Sequence, residues 1–121
     1  VDRESGLMAS GIFASDDLFN VDSTMTKAQR LDYGESLMTH AMVLTGVDLD
    51  ENDQPTKWKV ENSWGEKVGK KGYFTMSDDW MNEYAYQIVV KKEYLSSELV
   101  NIYDNSKPTL LSPWDPMGAL A

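Results

Sequence analysis

The sequence predicts an α+β chain built on an antiparallel, curved sheet with a few short helices, and three observations predict it. Residues Thr56 to Asn62 alternate, with Trp58 and Val60 on one face and Lys57, Lys59 and Glu61 on the other. That is the period of a half-buried antiparallel strand. Ser36 to Val47 and Tyr86 to Val90 are apolar and rich in β-formers, which suits further strands. Helix signals are brief, the clearest being the capping-box spacing of Thr26-Lys27-Ala28-Gln29.

Taken in order, Ser5 to Asp22 shows no sustained period and reads as loop with short turns. The capping box opens a helix running to about Tyr33, which Gly34 ends. Ser36 to Val47 reads as a buried strand holding His40. Asp48 to Pro55 is an acidic turn of hairpin composition, leading into the alternating strand Thr56 to Asn62. Gly65 to Gly72 is a loop rich in Gly and Lys, and Tyr73 to Met76 a strand. Ser77-Asp78-Asp79 can cap a helical turn from Trp80 to Tyr84. Tyr86 to Val90 reads as a strand, and Ser96-Ser97-Glu98-Leu99 starts a last short helix. Beyond Asn105, Pro108, Pro113 and Pro116 block regular structure. The division is therefore a β-rich unit over 1–107 and an extended arm over 108–121.

The 121 residues suit a single domain, and their four Trp and six Tyr argue for a folded chain. The opening Val1-Asp2-Arg3, with no Met, fits a processed or cut polypeptide. A net charge of −9 argues against nucleic acid and against anionic membranes. The short basic cluster of Lys67, Lys70 and Lys71 reads as a solvated loop. No apolar run approaches the roughly 20 residues of a membrane span. The chain has no Cys, which excludes an internal disulfide, a thiolate metal site and a complete thiol active site. One His and scattered carboxylates offer no metal-ligand spacing, so no metal or cofactor is expected.

The residues with chemistry are His40, Asn62 and Trp64. Two strands joined by a hairpin can bring His40 and Asn62 to one face. The amide oxygen of Asn62 could then accept a ring N–H of His40, fixing its orientation and leaving the other nitrogen free. A neutral amide suffices when the nucleophile is a thiol, because thiolate and imidazolium stabilise each other; such pairing can bring a cysteine pKa to about 3–4. Trp64 could cover the His–Asn bond and exclude water. Each residue alone has a plainer reading: a backbone-bonded histidine, a turn asparagine, a core indole.

Together the motifs are more specific. Gly34-Glu35-Ser36-Leu37-Met38-Thr39-His40-Ala41-Met42, Lys57-Trp58-Lys59-Val60-Glu61-Asn62-Ser63-Trp64-Gly65-Glu66, Lys71-Gly72-Tyr73-Phe74 and the ending Pro113-Trp114-Asp115-Pro116-Met117-Gly118-Ala119-Leu120-Ala121 resemble the C-terminal part of the bleomycin hydrolase family. These are papain-fold cysteine aminopeptidases, and the resemblance is greatest to their bacterial branch. It implies that His40 is the catalytic histidine and Asn62 its orienting asparagine, with Trp64 in support. It further implies that the nucleophilic cysteine and an oxyanion-hole glutamine lie upstream, outside this sequence, so that this chain by itself is inactive. The family also implies a barrel-like sheet, a cytoplasmic homo-oligomer (a hexamer), peptide substrates, and a C-terminal arm lying in the cleft. A terminal carboxylate at Ala121 would there meet the substrate's ammonium; two unit charges about 4 Å apart attract by roughly 4 kcal/mol at an effective dielectric of 20, before desolvation. The competing reading is a non-catalytic, acidic, β-rich interaction module that assembles through its apolar surface.

Overall fold

Two adjacent strands carry the centre of the molecule, β3 (Pro55–Glu61) and β4 (Tyr73–Ser77). They pair antiparallel, with Val60 opposite Phe74 and Trp58 opposite Met76. Every second residue of this pair turns to the same side, where Met8, Val60, Phe74 and Met76 are buried together. Met42, Trp58, Val68, Trp80 and Met81 pack around them. The computed structural model describes residues 1–118.

Two outer strands complete the sheet: β1 (Leu7–Met8) beside β4, and β2 (Val43–Leu49) beside β3. The order is β1-β4-β3-β2. The α+β class and short helices are as the sequence predicts, but the sheet is open rather than barrel-like. It is also mixed, because β1 runs parallel to β4. The helices are α1 (Ser15–Phe19), α2 (Lys27–Asp32), α3 (Asp78–Tyr84) and α4 (Ser97–Asn105), with 3₁₀ turns at Lys92–Tyr94 and Pro116–Gly118. No described helix is long and apolar enough to cross a membrane.

Local chemistry explains the elements that form where expected. Thr26 accepts the Gln29 N–H on its hydroxyl, and the Gln29 side chain accepts the Thr26 N–H, so both halves of the capping box are made. Ser96 caps α4 through the Leu99 N–H. The acidic turn closes on Asp50, whose carboxylate accepts the Gln54 and Asn52 N–H groups. Those two bonds, Gln54 first, hold its carboxyl below the ordinary aspartate range. Trp58 donates its indole N–H to Asp78 at 2.9 Å, tying α3 to β3. Lys27 and Arg30 of α2 donate to the carbonyls of Asn82, Ala85 and Glu83, which docks α2 on the C-terminal end of α3.

Three segments differ from expectation. Ser5 to Asp22, read as loop, contains β1 and α1. Ser36 to Val47, read as one buried strand, becomes an irregular stretch followed by β2, all of whose residues are exposed. The ladder decides this. Val43 pairs with Glu61, the last residue of β3; beyond it the Asn62 N–H bonds instead to the Gly72 carbonyl. Residues before Val43 therefore have no strand to pair with. Tyr86 to Val90, read as a strand, joins no ladder among the described residues, and Val89 is 93 % exposed.

Before β1, an N-terminal turn docks on the loop ahead of β4. The Asp2 N–H donates to Leu7, the Gly69 N–H to the Arg3 carbonyl, and the Thr75 N–H to Gly6. Gly69 has φ +59°, and a Cβ there would fall 2.6 Å from the Tyr73 carbonyl oxygen. Only glycine fits so close an approach at positive φ. The proline-rich arm turns at Pro113 and Trp114, and residues of that turn line an open groove with Tyr33, Gly34 and Leu37.

Candidate active site

His40 sits in the irregular stretch between α2 and β2. Met38, buried, and Met42, packed on the core cluster, tie this stretch down on either side of it. Asn62 follows β3 directly and is 8 % exposed. The His40 Nε2 and the Asn62 Oδ1 lie 2.8 Å apart across 22 residues of sequence. Neither residue is inside a strand; the end of the β2–β3 ladder brings their two flanking segments together.

The direction of that bond follows from a second one. The Ser63 N–H donates to the same Asn62 Oδ1 at 2.8 Å. The shared atom must accept, so it is the amide oxygen, and His40 Nε2 must donate. The tautomer assigned by this network carries its proton on Nε2 and leaves Nδ1 with a lone pair. A protonated imidazole keeps the same Nε2–H, so Asn62 can hold the ring in both charge states. The Asn62 Nδ2 is buried and finds no acceptor among the described residues.

Trp64 stacks on the imidazole, with ring centroids 5.1 Å apart and planes 23° from parallel. Phe74 meets Trp64 edge-on, at 5.8 Å and 83°. The site is thus built outward from the core: Phe74 supports Trp64, Trp64 lies on His40, and His40 is bonded to Asn62. Sequence reasoning missed Phe74 as a support. It also missed Arg3, whose guanidinium carbon is 4.7 Å from the Trp64 ring centroid. No local motif marks either; a strand residue and an N-terminal turn meet the indole only through the tertiary fold. Ala121 lies outside the described residues.

Chemically, the arrangement offers an oriented imidazole with one nitrogen free to take a proton. It offers no thiol nucleophile of its own, since the chain has no Cys. Among the described residues there is no group of three or more His, Cys, Asp or Glu that could hold a metal ion.

The chain belongs to the Peptidase C1-like family, whose model matches residues 1–118. Among particular relatives, it is 57 % identical over 120 residues to aminopeptidase C of Streptococcus thermophilus, covering 99 % of this chain and 27 % of that protein. It is 44 % identical over 117 residues to aminopeptidase W of Lactobacillus delbrueckii subsp. lactis, covering 97 % and 26 %. The crystal structure of PepW from Lactobacillus rhamnosis superposes with a TM-score of 0.88 at 65 % identity, covering 100 % of this chain and 27 % of that one. The chain therefore spans about a quarter of the length of these relatives.

Proposed function

We propose that this chain is the histidine- and asparagine-bearing part of a cysteine-type aminopeptidase that removes N-terminal residues from peptides. The observation that carries the reading is the 2.8 Å contact from His40 Nε2 to Asn62 Oδ1 beneath Trp64. A cysteine in the preceding part of the polypeptide is the nucleophile. The His40 Nδ1 takes the thiol proton, and the resulting thiolate attacks the scissile carbonyl carbon. Collapse of the tetrahedral intermediate breaks the C–N bond, and His40 returns the proton to the departing amine. Water then attacks the thioester, giving its proton to His40, and releases the free acid and the thiol.

The relatives' names support aminopeptidase action, and the resemblance of the sequence motifs supports the bleomycin hydrolase branch, for which a cytoplasmic homo-hexamer is expected. A terminal carboxylate at Ala121 anchors the substrate ammonium. Removing residues 118–121 should then erase the preference for a free-amino peptide over its N-acetylated twin. The extent of exposed apolar surface also fits the second reading, an acidic assembly module. One experiment separates the two: turnover of an aminoacyl fluorogenic substrate by the intact polypeptide, as wild type and as His40→Ala. The peptidase reading expects a loss of about 10²- to 10⁴-fold. Equal turnover by both proteins, or none by the wild type, would reject it.

A further inference from the structure

Arg3 brings to this site a cation that the proton transfers do not use. Its guanidinium carbon lies 4.7 Å from the centroid of the Trp64 ring, within reach of a cation–π attraction. The N-terminal turn puts it there. The Gly69 N–H holds the Arg3 carbonyl at 2.9 Å, and the Asp2 N–H closes the turn on Leu7 at 2.9 Å. Glycines at positions 6 and 69 permit the close approach of this turn to the Tyr73 carbonyl.

The partner chosen by this arginine is informative. The chain carries 20 Asp and Glu, yet among the described residues Arg3 makes no ion pair. Its neighbour is the indole. Among the described residues Trp64 has little other support: it is 39 % exposed and its contact with the core is an edge contact with Phe74. Without the guanidinium, nothing among the described residues closes the outer face of the indole against a swing away from His40. The imidazole would then lose the flat surface that holds its ring in the plane of the Asn62 bond.

We infer that Arg3 is a positioning residue: by stacking on Trp64 it holds the indole against His40, and so keeps the imidazole aligned with Asn62. The consequence for turnover rests on the peptidase reading; the consequence for Trp64 does not.

The test uses the intact polypeptide and two readouts. The first is fluorine NMR of protein labelled with fluorotryptophan, where the Trp64 resonance is identified by its loss in Trp64→Leu. Arg3→Met removes the cation but keeps an unbranched side chain, and Arg3→Lys keeps a cation. The Trp64 resonance should move in Arg3→Met and return toward the wild-type position in Arg3→Lys. The second readout is kinetic. Arg3→Met should lower kcat by roughly two- to five-fold with KM unchanged, and Arg3→Lys should recover part of that loss. In a Trp64→Leu background, Arg3→Met should have no further effect, because the two residues act as one unit. A stationary Trp64 resonance in Arg3→Met overturns the inference. So does a rise in KM at constant kcat, which would make Arg3 a substrate contact. An undiminished kcat effect in the Trp64→Leu background overturns it as well. If the wild type has no thiol-dependent turnover, the peptidase reading fails while the Trp64 resonance still decides the contact.

Discussion

On the proposed reading Asn62 does one thing, which is to hold an imidazole whose charge changes during turnover. Its Oδ1 accepts from both His40 and the Ser63 N–H, so the amide cannot rotate without breaking two bonds. A carboxylate in its place would favour the imidazolium more strongly, whereas the amide holds either charge state without a net charge of its own. Asn62→Ala in the intact polypeptide should therefore lower kcat by about 2- to 10-fold, the worth of one lost hydrogen bond. His40→Ala should be far worse. Equal damage from the two substitutions in folded protein would assign Asn62 a more direct part than orientation. The pair was legible in the sequence because a hairpin between them puts residues 40 and 62 side by side, and because the motif around each is specific. Arg3 was not legible. Nothing near Asp2-Arg3-Glu4 points to an indole sixty-one positions away.

Elements set by short-range chemistry are legible in the sequence, and those set by partners are not. The α2 capping box and the Ser96 cap of α4 are complete within a few residues of sequence. The alternation of β3 matches its burial, with Val60 buried between exposed Lys59 and Glu61. By contrast, β1 is two residues long and exists because Met8 enters the core beside Met76. Tyr86 to Val90 has strand residues but no edge to join among the described residues, and β-propensity expresses itself only on a neighbouring strand. The loop before β4 is sensitive to substitution at its glycine. Gly69→Ala would force a Cβ to 2.6 Å from the Tyr73 carbonyl at a φ of +59°. The expected destabilisation is about 1–3 kcal/mol, with the N-terminal turn loosened because Gly69 also bonds Arg3. Denaturant melts of the intact polypeptide, wild type against Gly69→Ala, measure it; coincident curves would contradict the close packing described for this loop.

The whole chain exposes more surface than a compact monomer of its mass. The chain exposes 9928 Å², while a compact monomer of 13.7 kDa is expected to expose about 6,600 Å². The excess of roughly 3,300 Å² is one side's share only, and already matches the two-sided area of an obligate interface. It includes apolar side chains with no cover: Val43 and Val47 on β2, Ile88 and Val89 beyond α3, and Leu110 in the arm. Expressed alone, residues 1–121 should self-associate or bind a hydrophobic dye. A monomeric, dye-silent chain by light scattering and fluorescence would show that this surface needs no partner. In the proposed enzyme the cover is the preceding part of the same polypeptide, which brings its cysteine to His40. The pH dependence of iodoacetamide alkylation of that cysteine, in the wild type and in His40→Ala, tests this meeting directly. A thiolate paired with His40 should react rapidly well below the ordinary thiol pKa of about 8.5, and His40→Ala should move the profile up toward that value. Identical profiles for the two proteins would contradict the account, because His40 would then face no thiol.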